Sequence, residues 1–211
     1  MKKIIILGTA HLATTPGKRS PDGKFREYAF SREIVTMLKA KLQAFGYEVF
    51  VDYMATEPNA YMKATSAKTE QSRELIYRVK QVNDLCKKYG SKNCLYVSIH
   101  VNAAKSDGKW HDASGFTVFV SKNASDNSKR LAKLFTSLAL ERELTGNRSI
   151  PRDKFWSANL YVLKNTYCPA VLTENFFQDN KKDVEFLMSD EGHNEIVKLH
   201  LDAIQKYCNS L

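Results

Sequence analysis

The stretch Cys94-Leu95-Tyr96-Val97-Ser98-Ile99-His100 decides the fold, because it is a nearly continuous apolar run that ends on an imidazole. Short runs of this kind are typical of strands that are covered on both faces, as in a parallel sheet. Residues 4–7 and 170–173 are two further apolar runs of the same kind. The sequence therefore predicts a sheet whose central strands are buried.

Segments with helical periodicity alternate with these runs. Apolar residues recur at helical spacing in residues 31–45, in a long segment that closes near Gly90, and in a last helix for which Ser189 is the predicted N-cap. Further strands are predicted at residues 48–53, 116–120 and, as a short one, 160–163. This alternation favours the α/β class, with a mostly parallel twisted sheet and helices on both faces.

Length and composition fit one domain over residues 1–211, since 43% of the residues are hydrophobic and 26% are charged. The net charge of +9 favours an anionic partner without choosing one. The sequence has no dense basic tract of the kind that binds nucleic acid, so we predict no nucleic-acid partner. No segment approaches the roughly 20 apolar residues that are needed to span a membrane. The four cysteines form no Cys-x-x-Cys pair; we interpret them as reduced thiols, with one incidental disulfide as the alternative.

The N-terminus, Met1-Lys2-Lys3 followed by an apolar run, resembles the start of a signal peptide. The run ends within five residues and is followed by His11 rather than by a small-residue cleavage site. We therefore predict a buried first strand, and a leader removed from the chain is left open.

Polar side chains follow three of the predicted strands. His11 follows the first, His100 ends the third, and Glu174 ends the run at residues 170–173. Because chemistry in such sheets gathers at the carboxyl ends of the strands, these side chains are expected to converge. Two histidines, one carboxylate and a water form a common catalytic zinc shell, and Glu27, at the start of the first helix, is the candidate third ligand.

The blocks Ser98-Ile99-His100-Val101-Asn102-Ala103 and Pro169-Ala170-Val171-Leu172-Thr173-Glu174 carry a family resemblance. Together with His11, the segment at residues 15–23 and Glu27, they make the chain resemble the zinc-dependent N-acetylmuramoyl-L-alanine amidases of the third amidase class. This family occurs in cell-wall hydrolases and phage lysins. One departure is local: members usually carry glycines around the first ligand, whereas His11 here lies between Ala10 and Leu12.

The resemblance implies a Zn²⁺ enzyme that hydrolyses the amide between N-acetylmuramic acid and L-alanine in peptidoglycan. It implies the metal ligands His11, Glu27 and His100 and the catalytic residue Glu174. Three residues are predicted to bind substrate: Asn102, Asn175 and Leu160. The enzyme is expected to be a monomer that acts on the cell wall, in the periplasm or outside the cell, after export or lysin-type release.

Two alternatives to this function stay open: a related zinc hydrolase that acts on another amide, and a wall-binding module without activity. A binding module needs no catalytic carboxylate, so the retention of Glu174 disfavours it. For Arg78 and Asn83, which match family positions, a role on the helix surface and a role in supporting the active site are equally compatible with the sequence.

Overall fold

The computed structural model describes residues 3–210, so Met1 and Lys2 of the signal-peptide alternative lie outside the described residues. The strands are β1 (Ile4–Thr9), β2 (Glu48–Val51), β3 (Cys94–Asn102), β4 (Thr117–Ser121), β5 (Trp156–Ala158) and β6 (Ala170–Phe177). The helices are α1 (Glu27–Ala44), α2 (Ala67–Tyr89), α3 (Asp126–Glu141), α4 (Tyr161–Lys164), α5 (Lys181–Leu187) and α6 (Asp190–Asn209).

The six strands form one sheet in the order β2-β1-β3-β6-β4-β5. Neighbours among β2, β1, β3 and β6 are parallel, β4 is antiparallel to β6, and β5 is parallel to β4. This confirms the predicted mostly parallel α/β sheet. We call the edge at which β1, β2, β3 and β6 end the front edge, and the edge at which β4 and β5 end the back edge.

Hydrophobic side chains cover both faces of the sheet. Along β1, Ile5 and Leu7 pack into a large cluster with α1, α3 and α6, whereas Ile4 and Ile6 pack into a smaller cluster with α2 and α4. Successive side chains of a strand point to opposite faces, so a run without polar residues requires cover on both sides. The continuous apolar runs in the sequence are thereby explained.

One predicted strand is wrong. Residues 160–163 were expected to form a short strand, but Tyr161–Lys164 form helix α4 and the edge strand β5 lies just before it, at Trp156–Ala158. A four-residue apolar run is too short to distinguish the two periodicities. Here Val162 and Leu163 are buried against α2 while Tyr161 is exposed.

The predicted N-cap of the last helix is confirmed. The Ser189 hydroxyl accepts a hydrogen bond from the Gly192 amide at 3.0 Å and so caps α6. All four cysteines are free thiols. None of the helices within residues 3–210 combines the length and apolarity that crossing a bilayer requires.

Candidate metal centre

Three predicted ligands meet at the front edge. His11 follows β1, His100 lies near the end of β3, and Glu27 is the first residue of α1. The Glu27 carboxylate lies 3.5 Å from His11 Nε2 and 3.1 Å from His100 Nδ1. One ligand atom from each residue falls within 4.8 Å of the others, which is the spacing expected around a single metal ion.

Two buried arginines hold the backbone of His11. His11 has a φ of 41°, in the left-handed region that is unfavourable for residues other than glycine. Its carbonyl oxygen accepts hydrogen bonds from Arg32 Nη2 at 2.9 Å and from Arg78 Nη2 at 3.3 Å. Arg32 also binds the Ala10 carbonyl at 2.9 Å. These bonds stabilise a strained turn in which a residue other than glycine has a positive φ.

Arg78 belongs to a buried polar network below the metal ligands. Its guanidinium donates to Asp52 Oδ1 at 2.7 Å, to Glu74 at 2.9 Å and to the Thr9 hydroxyl at 2.9 Å. Burial alone would lower the pKa of the guanidinium, but the two carboxylates raise it. Of the two roles considered for Arg78, the structure therefore favours the one in which Arg78 holds the active site in place.

Asn83, in the same helix, lies towards the back edge. Its side chain donates to the Asn165 carbonyl at 2.8 Å and accepts from the Tyr167 amide at 3.0 Å. Asn83 is buried rather than on the surface, and these two hydrogen bonds go to the loop before β6 and not to the metal ligands. It holds the loop that leads into β6.

The orientation of His100 is defined by its neighbours. Its Nε2 lies 3.1 Å from the Ser98 hydroxyl, and its Nδ1 faces Glu27. When Nε2 carries the proton and donates to Ser98, Nδ1 presents its lone pair to the candidate metal position. Outer partners of this kind fix the tautomer of a metal-binding histidine.

The charge states of the ligands suit a divalent cation. Burial lowers the pKa of His11 to about 3, so its imidazole is neutral near pH 7. Burial would raise the pKa of Glu27, but the imidazoles of His11 and His100 and the ammonium of Lys18 lower it to about 2. Neutral imidazoles and an ionised carboxylate are the forms that bind metal. The buried Oε2 of Glu27 has no hydrogen-bond partner, so a cation would satisfy it.

Glu174 lies beside the candidate metal position. It pairs in register with His100, and its buried Oε2 has no hydrogen-bond partner. Desolvation and the neighbouring charge of Glu27 raise its pKa well above the usual range, and Lys18 opposes this effect. Burying a carboxylate that is neither hydrogen-bonded nor ion-paired costs folding free energy. Groups of this kind concentrate at functional sites.

The three predicted substrate residues lie in different surroundings. Asn102 is half-buried at the end of β3, and its Oδ1 accepts from the Ala103 amide at 2.8 Å. Asn175 is fully buried and donates to the His100 carbonyl at 2.9 Å, so it positions a ligand strand. The structure does not bring Leu160 to the site: it follows β5 at the back edge and packs on α2, because β4 and β5 run opposite to β6.

Several supporting residues were missed in the sequence. The ammonium of Lys18 lies 3.9 Å from Glu27 Oε2, but in the sequence Lys18 is only one residue of the segment at residues 15–23. Arg32, Ser98 and Asp52 were not singled out either. Asp52 directly follows β2, so the rule that polar residues gather at the carboxyl ends of strands would have found it. Nothing in the local pattern around Arg32 distinguishes it from a solvent-exposed helical arginine.

Comparisons with known proteins agree with the fold. The chain is similar to an endolysin of Bacillus phage SPP1, with 33% identity over 138 residues that cover 64% of this chain and 46% of the endolysin. It is also similar to the protein YqiI of Bacillus subtilis strain 168, with 32% identity over 114 residues that cover 54% of this chain and 50% of YqiI. The chain thus matches about half the length of each relative.

Among solved structures, the fold is similar to that of the CwlD amidase from Clostridioides difficile, solved in complex with the GerS lipoprotein. The TM-score is 0.81 at 24% identity, with 100% of both chains covered. A family profile described as N-acetylmuramoyl-L-alanine amidase matches residues 5–206, nearly the whole chain. The chain therefore belongs to the N-acetylmuramoyl-L-alanine amidase family.

Proposed function

We propose that this protein is a zinc-dependent hydrolase that cleaves the amide between N-acetylmuramic acid and L-alanine in peptidoglycan. The observation that carries the proposal is the convergence of His11, Glu27 and His100 within 4.8 Å, with the unpaired carboxylate of Glu174 beside them. Two imidazoles and one carboxylate match the ligand set of catalytic zinc sites, which keep one position open for water or substrate.

The residues present fit zinc. Its ligands are nitrogen and carboxylate oxygen, and both kinds of atom are available here in their metal-binding charge states. Zinc, when bound, would acidify a water and polarise the substrate carbonyl. Ser98 and the two buried arginines hold His100 and His11 in place for it.

Glu174 is the proton-carrying residue in this proposal. Its carboxylate takes a proton from the attacking water and returns it to the amide nitrogen as the C–N bond breaks. Desolvation is the larger cause of the raised pKa of Glu174, and the charge of Glu27 raises it further. A cation held by Glu27 offsets that charge, so the ionised, basic form of Glu174 becomes accessible in the loaded site.

The domain organisation, oligomeric state and location of the enzyme are also part of the proposal. We infer that residues 1–211 act as a single catalytic domain, as a monomer, on the cell wall outside the cytoplasm. The family and the resemblance to a phage endolysin support a role in wall lysis or remodelling. A related zinc hydrolase that acts on another amide remains the second candidate, and the substrate assay below separates the two.

The test combines metal analysis with digestion of purified peptidoglycan. We expect about one zinc per chain, new L-alanine amino termini in the digest, and loss of activity on chelation. Substituting Glu174→Gln should lower kcat by about 10²–10⁴-fold, the usual contribution of a general acid–base group, while zinc remains bound. The control Lys164→Gln, at the back edge, should retain full activity.

Other results would contradict the proposal in different ways. Release of reducing sugar ends instead of amino termini would assign another bond. Undiminished zinc binding in His11→Ala would refute the ligand set. Full activity in Glu174→Gln would remove Glu174 from the mechanism, whatever the metal content.

A further inference from the structure

We propose that a cationic pocket beside the metal centre binds a carboxylate of the peptidoglycan stem peptide; this rests on the proposed amidase function. The pocket has a volume of about 440 Å³ at the front edge and lies between two loops. One wall is the segment at residues 16–21, which follows the His11 turn, and the other is the segment at residues 103–109, which follows β3.

The two residues that follow β6 hold both walls of the pocket in place through hydrogen bonds. Gln178 donates to the Gly17 carbonyl at 2.9 Å and holds the first wall. Asp179 accepts from the Ala104 amide at 2.9 Å and from the Lys105 amide at 3.1 Å, and so holds the second. Both side chains are buried, at 4% and 5% exposure. Their hydrogen bonds keep the walls at a defined separation.

The charge of the pocket is positive. Four cationic side chains line it: Lys18, Arg19, Lys105 and Lys109. Its one acidic lining residue, Asp179, is engaged by the backbone amides of the second wall. Within residues 3–210, no carboxylate lies within 4.0 Å of the Arg19, Lys105 or Lys109 side chains. An anion entering the pocket therefore finds three cationic side chains, Arg19, Lys105 and Lys109, that have no carboxylate of the described residues within 4.0 Å.

A second polar group in the pocket suits a peptide. The Oε1 of Gln178 is buried and has no hydrogen-bond partner, while its amide nitrogen is held by Gly17. This oxygen is an acceptor, so it does not favour an anion but matches an N–H donor. A segment that carries both an amide N–H and a carboxylate complements the lining better than a simple anion does.

The position of the pocket identifies which carboxylate fits. Lys18 lines the pocket and also lies 3.9 Å from Glu27 Oε2, so the pocket adjoins the candidate metal position. A residue of extended chain spans about 3.5 Å, so the group that reaches the pocket lies close to the scissile amide. In the stem peptide, the first carboxylate after L-alanine belongs to the second residue, glutamate, where it is free in some walls and amidated in others.

The test compares two soluble probes that differ only in that group. They are N-acetylmuramoyl-L-alanyl-D-glutamate and N-acetylmuramoyl-L-alanyl-D-isoglutamine, which carries a carboxamide instead. Calorimetry with the zinc-loaded Glu174→Gln protein should show about tenfold tighter binding of the free carboxylate. Lys105→Gln with Lys109→Gln, added to that protein, should remove most of this preference and leave zinc content unchanged.

A matched control comes from the back edge. Lys92 and Lys164 line a second cavity there, so Lys92→Gln with Lys164→Gln removes the same charge from another pocket. This variant should keep the preference for the free carboxylate. Salt should weaken the preference in the parent protein, because exposed ionic contacts are screened.

The outcomes distinguish this proposal from the function on which it rests. Equal binding of both probes, or an unchanged preference in the front-edge variant, would overturn the pocket proposal even if the enzyme cleaves peptidoglycan. If the front-edge variant loses affinity only for walls that carry phosphate polymers, the pocket serves those polymers and the stem-peptide assignment is wrong. Failure of the wild-type protein to release L-alanine amino termini would instead remove the amidase function itself.

Discussion

Two cavities of similar size lie at opposite edges of the same sheet. The front-edge cavity, about 440 Å³, adjoins the candidate metal centre, and the back-edge cavity, about 390 Å³, lies among residues near Ser128 and Cys168. Volume does not distinguish them. Their polar groups do: near the front cavity, Gln178, Glu27 and Glu174 each have a buried oxygen without a hydrogen-bond partner.

The back-edge cavity is lined by polar groups that satisfy one another. Ser128 accepts from the Ser125 hydroxyl or donates to it at 3.1 Å, and it accepts from the Ala170 amide at 3.0 Å. Among the described residues, none that lines this cavity has a buried side-chain oxygen or nitrogen without a partner. Unsatisfied buried groups are costly, so these three oxygens favour the front edge as the place where a ligand would satisfy them.

Helix α2 allows the sharpest comparison, because Arg78 faces the front edge and Asn83 faces the back edge. Substituting Arg78→Met leaves Asp52 and Glu74 buried without their cation, which should cost about 3–5 kcal/mol of unfolding free energy. It also removes a hydrogen bond to the His11 carbonyl, so zinc affinity should fall about 10–100-fold. Chemical denaturation and a chelator competition measure the two effects.

Asn83→Ala is the matched control. It leaves the Tyr167 amide without its acceptor and should cost about 1–3 kcal/mol, with zinc affinity unchanged. Since Arg78→Met is strongly destabilised, Arg78→Lys provides a milder variant that keeps the charge. Equal zinc affinity in the wild type and both Arg78 variants would show that Arg78, like Asn83, does not influence metal binding.

A smaller effect is expected from His200, a buried imidazole outside the metal centre. Its Nδ1 lies 2.8 Å from the Ile196 carbonyl and its Nε2 lies 2.9 Å from the Thr173 hydroxyl, so Nδ1 carries the proton. Burial lowers the pKa of His200 to about 4, below the usual 6.5. The unfolded chain therefore binds the proton more readily, and stability falls as the pH drops from 6.5 to 4, by up to about 3 kcal/mol.

Denaturation at several pH values checks this expectation. His200→Gln should reduce the fall between pH 6.5 and 4, to which buried His11 also contributes, whereas His193→Gln, at a half-buried position, should leave the fall unchanged. Zinc binding at neutral pH should not change in either variant. An unaltered pH profile in His200→Gln would assign the acid sensitivity to other groups.

The smallest effect is expected at Gly8, which lies in β1 just before the metal-ligand turn. A Cβ at this position would lie 2.4 Å from the Tyr96 hydroxyl oxygen and 2.9 Å from the Ser98 hydroxyl oxygen. Gly8→Ala should therefore cost about 1–3 kcal/mol, the usual range for overpacking. Because Ser98 is the partner of His100 Nε2, zinc affinity should also fall, by less than in Arg78→Met.

A second substitution makes this prediction specific. Tyr96→Phe removes the nearest oxygen, so it should restore part of the stability lost in Gly8→Ala, although Asp52 loses a hydrogen bond. The measurement is a double-mutant cycle of unfolding free energies. Additive effects of the two substitutions would show that the Cβ contact is not the cause.

Much of the site could be predicted from strand ends. His11, His100 and Glu174 each follow an apolar run, and a parallel sheet brings such positions to one edge. Glu27 depended more on the family resemblance, since a position at the start of the first helix is weak evidence for a metal ligand by itself. Leu160 was misplaced for a physical reason: β4 runs antiparallel to β6, which sends the following segment to the back edge.

The sequence by itself determined the α/β class, the order of most strands and helices, and the side chains that could bind a metal. These features follow from local periodicity and from the cost of burying polar groups, which both act along the chain. The tertiary structure alone decided which residues hold the candidate ligands and the pocket in place. Arg32 and Arg78 bind the His11 carbonyl, and Gln178 and Asp179 hold the two pocket walls. These contacts join distant segments, so their geometry depends on strand direction and packing rather than on any local pattern.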